Sequence, residues 1–302
     1  MKRLLLWLFC CVSGLLAVDR FGGLVMKQVV HHSHDVIAPK LCYIADSLHE
    51  DVVLIGASRC HHHFVPSILA DSLGMSVYNA GIGGSDNIFS HYMVLCHVLN
   101  RHTPKVICLE LMVSDFAPEA DVFRSLSFLA PLYGRSAAAD SVFCLSGSAW
   151  KYEFSHLYRY NAKAASNLLG LVMNRQCGAD HGYIPLKRSA SIPQELQPEL
   201  AVEGCDSLKL SFLRRFITVC QREHVKLLFV VSPKYTIAGS GCYASLKAEA
   251  ACAGIPFMDY HTAGLFHDYP EYFKDALHLC HEGAVGFTMT FAGDLKKITG
   301  DF

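Results

Sequence analysis

The chain has 302 residues, enough for one large α/β domain with insertions or for two smaller domains. Hydrophobic residues make up 52% and charged residues 18%, so material for a packed core is ample. Twenty-six basic residues against 27 acidic ones give a net charge of −1, which excludes the basic footprint of a nucleic-acid-binding protein, and no block of like charge marks a disordered tail.

The first element is an N-terminal apolar run. Lys2 and Arg3 precede fifteen uncharged residues, 4–18. This is short for a bilayer-spanning helix, which needs about 20 apolar residues, and it fits the core of a signal peptide. No small-x-small cleavage site follows; Asp19, Arg20, Phe21, Gly22 and Gly23 come next. Residues 1–18 are therefore read as an uncleaved membrane anchor in preference to a cleaved signal peptide, with a buried N-terminal helix as the alternative. With the positive end held inside, the remainder faces the extracytoplasmic, periplasmic side. Residues 19–50 read as a stem, with His31, His32 and His34 facing solvent, and 51–302 as the domain. The thirteen cysteines are odd in number and form no C-x-x-C, so disulfides stay unassigned. Cys96, Cys108 and Cys220 lie in apolar runs and read as small core residues.

Five short apolar runs follow, at 52–56, 76–79, 106–111, 226–232 and 256–259, each with the continuous hydrophobicity of a buried parallel strand. Helical patterns at 64–73, 87–100, 207–223 and 243–253 separate them, and a last helix is predicted over 282–298. This alternation predicts a parallel sheet with helices on both faces. Residues 117–205 break the rhythm with weak strand signals and many aromatics. They are read as an insertion over the sheet's carboxyl edge. Within it Trp150, Tyr152, Phe154, Tyr158 and Tyr160 suit either stacking on sugar rings or packing on the sheet.

Four constellations carry chemistry. Residues 53–59 run a hydrophobic strand into Gly56, Ala57 and Ser58, placing a serine at a strand's carboxyl end, where open α/β sheets build their sites. The bland reading of Ser58 is a helix N-cap. Asp275 and His278 stand three apart before the last helix: a histidine can take a serine proton, and a carboxylate can orient and stabilise the imidazolium. Residues 79–87 form a glycine-rich βα turn whose N–H groups can meet an oxyanion. It is not G-x-G-x-x-G, so it is not read as a dinucleotide site. Residues 109–115 end the third strand with polar side chains on the same edge. His61, His62 and His63 are consecutive and cannot converge on one metal ion, since neighbours do not share a helix face. One of them, taken as His62, would line the pocket beside Ser58, and Arg59 would bind an acidic substrate group, anchor the insertion, or be a solvated or structural arginine. Cys280, in the last loop, has no neighbour in sequence that would lower its pKa.

In chain order these blocks resemble the SGNH/GDSL hydrolase family over about residues 51–115 and 226–295. The resemblance implies a flavodoxin-like three-layer α/β/α domain with a parallel sheet of about five strands. It assigns Ser58 as nucleophile, Asp275 and His278 as its partners, and the N–H groups of Ser58 and Gly84 as oxyanion donors. The family's third block carries an asparagine donor, but this chain has Ser114 there. The hole then relies on Ser114, borrows Asn87, or leaves the protein slow or inactive. Gly-Ala-Ser-Arg in the first block looks like the anchored, envelope-facing subgroup linked to polysaccharide O-acylation. The expected activity is a serine-dependent esterase or acyltransferase on an acylated glycan, acetylated in the first instance, or on a small ester. It would need no cofactor or metal, bind no nucleic acid, and work with a membrane-bound acyltransferase partner. The competing expectation is a non-catalytic envelope protein that binds glycan or that partner.

Overall fold

A computed structural model describes residues 1–118, 123–172, 180–188, 195–199, 204–239 and 241–300. Its sheet has five strands: β1 Val52–Ile55, β2 Val77–Asn79, β3 Val106–Glu110, β4 Lys226–Val231 and β5 Phe257–Asp259. All pairings are parallel and the order is β2-β1-β3-β4-β5. The chain builds β2 on one side of β1 and then crosses to place β3 on the other. That reversal opens a crevice outside the carboxyl ends of β1 and β3, the usual place for a ligand site in such sheets.

The helices are α1 Lys2–His32, α2 Ala38–Asp46, α3 Ser58–His63, α4 Pro66–Leu73, α5 Ile88–Arg101, α6 Ala137–Leu145, α7 Ala149–Phe154, α8 Ala164–Leu169, α9 Ser207–Arg222, α10 Ala244–Ala253 and α11 His281–Thr299. Side chains alternate across the pleat. Val53, Ile55, Ile107, Leu109, Phe229 and Val231 face a core shared with α2, α5, α9 and α10. Val52, Leu54, Val106, Cys108, Leu228 and Val230 face one shared with α4 and α11. The three-layer α/β/α architecture is the expected one. Pro66 starts α4 two residues later than the periodicity suggests, because a proline at the first helical position supplies the right φ and needs no N–H partner.

Two regions depart from the sequence reading. Of the insertion at 117–205, residues 119–122, 173–179, 189–194 and 200–203 lie outside the described residues. The described part is mostly helical: α6, α7, α8 and the 3-10 turns Arg124–Phe128, Ala130–Leu132 and Leu157–Lys163. Its strand content among the described residues is a two-residue pairing of Gln197–Pro198 with Thr236–Ile237 and an isolated bridge from Asp180 to Tyr183. It also reaches beyond the carboxyl edge, since α6 packs on α5 in the helical layer. Tyr152 and Tyr160 are buried, whereas Trp150 and Phe154 stay exposed.

The segment read as a stem is packed for much of its length. Residues 19–32 continue α1 without a break, and Met26, Val29 and Val30 are buried against Ala38 and Tyr160. Ile37, Leu41 and Ile44, at the start of α2 and within it, belong to the main core.

Candidate active site

Strand β1 ends in a turn that only glycine permits. A Cβ on Gly56 would sit 2.7 Å from Cys60 Cβ and 3.0 Å from Glu110 Cβ. The chain therefore passes β3 closely and delivers Ser58 as the first residue of α3. The Ser58 hydroxyl lies 2.9 Å from His278 Nε2, and His278 Nδ1 lies 2.9 and 3.2 Å from the two oxygens of Asp275. An ionised carboxylate only accepts, so Nδ1 carries the proton and Nε2 accepts from Ser58. The sequence placed these residues 220 positions apart in one centre, and the geometry is the series a serine-hydrolase triad uses.

The loop that carries Asp275 and His278 is self-braced. Phe273 and Leu279 form an antiparallel bridge, and Lys274 N donates to His278 O at 2.8 Å. Asp275 Oδ1 accepts from the N–H groups of Leu277 and His278, both at 2.9 Å. Burial raises the Asp275 pKa, but these N–H groups and the imidazole outweigh it and hold the carboxyl below its ordinary range.

The three consecutive histidines point in three directions, each to its own partner. His61 Nδ1 lies 2.9 Å from Gly81 O and 2.7 Å from Lys40 Nζ, and Lys40 itself donates to Gly81 O at 2.5 Å. His62 Nδ1 donates to Ile184 O at 2.7 Å, and the ring sits edge-on to His278 with centroids 5.8 Å apart. His63 is fully buried: its Nε2 accepts from Leu279 N at 3.0 Å, so its Nδ1 carries the proton and donates to Ser232 Oγ at 2.9 Å. Ser232 Oγ in turn donates to Glu110 Oε1 at 3.0 Å, and Glu110 pairs with Arg59 at 2.7 Å.

This chain of contacts corrects the assignment of Arg59 to substrate. The guanidinium is 0% exposed; its Nη2 donates to Glu110 and to the carbonyl of Leu111, and its Nη1 to the carbonyl of Ser232. Beneath Ser58 it ties α3 to β3, and through Ser232 and His63 the tie reaches Leu279, the neighbour of His278. Sequence inspection placed Glu110 and Asn79 in blocks that reach this edge but gave neither a partner, and it missed Ser232, His63 and Lys40 as site-building residues. The Asn79 amide donates to the carbonyls of Cys60 and Phe64 at 2.7 and 3.0 Å while its Oδ1 accepts from Gly81 N at 3.0 Å. The signal available was a polar residue, such as Glu110 or Asn79, inside an otherwise apolar strand.

The expected oxyanion residues fall on the same edge. Gly84 follows β2 with φ +81°, a left-handed conformation that favours glycine, and Phe128 of the insertion lies against it. Ser114 is exposed in the 3-10 turn Val113–Phe116 directly after β3. Asn87 is buried and caps α5, its Oδ1 accepting from Phe89 N at 3.0 Å. Asp115 caps the 3-10 turn by accepting from Met112 N at 2.8 Å. Cys60 and Cys280, beside Ser58 and near His278, have thiols pushed up by burial, so neither offers a ready thiolate. Among the described residues, ligand atoms converge in one group of metal-binding type, His31, Cys42 and Asp46, at the packing of α1 on α2. There Arg135 already holds Asp46 at 2.6 Å.

The histidines make stability sensitive to acid. Burial lowers the pKa of His61 and His63 well below the ordinary value, and brings His62 to about 4. His97 and His261 are likewise lowered to about 4 by burial. The unfolded chain protonates these groups near pH 6.5 while the folded chain does not. Stability is therefore full above about 6.5 and falls as pH drops toward 4, at ~1.4 kcal/mol per pH unit for each group. Glu110, raised to about 7 by burial against the pull of Arg59, works the other way between pH 7 and 4.5. Five groups against one predict a lower melting temperature at pH 4.5 than at 7. Thermal melts across that range check the sign; a flat or rising profile would contradict neutral buried histidines.

No family model matches the chain, and no curated protein matches it in sequence. Solved structures are similar, two of them as follows. One is a proposed acylhydrolase from Bacteroides fragilis, at 13% identity and TM-score 0.36, over 81% of this chain and 86% of that one. The other is the acetyl xylan esterase AlAXEase, at 13% identity and TM-score 0.39, over 83% and 99%. The fold is a three-layer α/β/α domain on a five-stranded parallel sheet, with Ser58 at the end of β1 and the Asp275–His278 loop before the last helix, the arrangement that the resemblance to SGNH hydrolases led one to expect.

Proposed function

We propose that the protein is a serine-dependent esterase or acyltransferase acting on an acyl ester, acetyl first among them, of an envelope or dietary glycan or a small ester. The observation that carries this reading is the hydrogen-bonded series Ser58, His278, Asp275 at the carboxyl edge of the sheet. His278 Nε2 takes the proton of Ser58 as Oγ attacks the ester carbonyl. The N–H groups of Ser58 and Gly84, with the Ser114 hydroxyl and Asn87 as further donors, receive the oxyanion. His278 then gives its proton to the departing alkoxide, leaving an acyl-serine. Water or a sugar hydroxyl takes the acyl group in the second half, again with His278 as base. His62 borders the space the substrate enters. The domain works on the extracytoplasmic side, held by α1, where a membrane-bound acyltransferase is a fitting donor partner.

The test is chemical. The full chain in detergent is incubated with a short-chain nitrophenyl ester and, separately, with a fluorophosphonate probe whose adduct is located by peptide mass. Turnover together with an adduct on Ser58 supports the enzyme. A folded protein that neither turns over nor labels supports the second reading, a non-catalytic glycan-binding or partner-binding protein, which the serine at position 114 favours.

Asp275→Asn provides a finer check. The amide offers an N–H toward His278 and favours the wrong tautomer, so kcat is expected to fall by about 10²–10⁴-fold with KM little changed. Asp275 is half exposed, which places the expectation at the lower end. Steady-state kinetics on the nitrophenyl ester measure it.

A further inference from the structure

The apolar run at residues 4–18 gives a helix about 22 Å long at 1.5 Å per residue, short of a hydrocarbon core of about 30 Å. Helix α1 makes up the difference on one side only. Phe21, Leu24 and Val25 are 70%, 62% and 45% exposed, so an apolar strip continues to residue 25, about 33 Å from residue 4. The opposite side at this level carries the first charges, and the insertion takes them up. Asp19 accepts from Ser155 Oγ at 2.5 Å, His156 N at 2.8 Å and Leu157 N at 3.3 Å. Arg20 donates to Asp19 at 2.6 Å and to Phe154 O at 2.9 Å. The contact is close because Gly22 and Gly23 face it: a Cβ on Gly23 would fall 2.5 Å from His156 Cβ.

The insertion residues at that level are apolar and uncovered. Trp150 and Phe154 are each 64% exposed and lie four apart on α7, so they share a face. Leu157, beside Gly22, is 42% exposed. Lys151 Nζ lies 6.0 Å from the Trp150 ring centroid. Aromatic rings beside a basic group form the composition of a membrane–water boundary. The exposed leucines of α8 are a different surface, since Gly170 O accepts from His34 N at the far end of α1, some 20 Å further from the apolar run.

We propose that Trp150, Phe154 and Leu157 rest in the lipid interface beside α1, so that the bilayer reaches residue 25 on the helix and meets the insertion on its other side. The occupant is lipid because the patch lies on the other side of α1 at the height where its lipid-facing strip ends, so that a bilayer covering one reaches the other. The domain is then held at two points, which fixes its tilt over the membrane. The inference rests on the anchor reading of α1, and the two tryptophans of the chain, Trp7 and Trp150, separate the two.

The full chain is reconstituted in phosphatidylcholine/phosphatidylglycerol vesicles with acyl chains brominated at shallow or deep positions. Trp7→Phe isolates Trp150, and Trp150→Phe isolates Trp7. The expected result is quenching of Trp150 by shallow bromines more than by deep ones, and quenching of Trp7 as well. If Trp7 is quenched and Trp150 is not, the anchor stands and the interfacial contact is overturned, including the case of a second protein chain covering the patch. If neither is quenched, the anchor reading fails and this inference with it. If only Trp150 is quenched, α1 does not share the bilayer with the patch, and both the anchor reading and the two-point attachment are overturned.

Discussion

Replacing Ser58 by alanine is expected to lower ester turnover by about 10⁴–10⁶-fold, and His278→Ala to cost a similar factor, with the double variant no worse than either single one. The reason is that the two groups act in one step. Without the imidazole the Ser58 hydroxyl is a poor nucleophile, and without the hydroxyl the imidazole has nothing to activate. The site offers no substitute. The thiols of Cys60 and Cys280 are buried and pushed up. His62 points its Nδ1 at Ile184 O, and His63 holds both ring nitrogens in the buried network. What activity remains comes from the oxyanion donors and substrate positioning, so the residual rate above the uncatalysed one also gauges Gly84 and Ser114. Additive losses in the double variant would mean that the two residues act in separate steps, against a common triad.

The sheet was readable because parallel strands buried on both faces leave continuous apolar runs, and a strand's carboxyl end is the natural exit to a site. Ser58, Asp275 and His278, which the structure brings into one hydrogen-bonded series, were findable because each stands at such an exit or before the last helix. The support beneath them was not. Arg59, Glu110, Ser232 and His63 meet only because the β1-β3-β4 pairings bring distant segments together, and nothing within a few residues of any of them names its partner. Arg59, next to the nucleophile in sequence, invited a substrate role, yet the turn at Gly56 sends its side chain under the sheet edge. The insertion misled in another way. Its aromatics raise strand propensity, which is context-dependent, and its helices of six to nine residues are too short to show a clear 3.6-residue period. The N-terminal helix ran past Asp19, Arg20 and two glycines because the insertion satisfies the charges and fills the space beside the glycines.

Above pH 7, where Glu110 is ionised, Glu110→Ala is expected to destabilise the fold by about 3–5 kcal/mol, the cost of stripping one member from a buried ion pair. At 0% and 1% exposure neither Arg59 nor Glu110 has solvent to fall back on. The alanine leaves a guanidinium with one charged partner fewer and Ser232 without an acceptor for its hydroxyl. Glu110→Gln keeps an acceptor for Ser232 and removes only the charge, so its cost is smaller, on the order of 1–3 kcal/mol. Replacing both partners by apolar residues of similar volume, Arg59→Met with Glu110→Leu, removes the orphaned charge and is expected to recover much of the loss. Chemical denaturation of the three variants orders them. The same variants separate support from mere stability at a temperature where all are folded. If the Glu110–Ser232–His63 contacts hold Leu279 and hence His278 in place, Glu110→Ala lowers kcat while KM stays near the parent value, and the double apolar variant restores stability without restoring kcat. Equal recovery of both would assign the network to the fold alone.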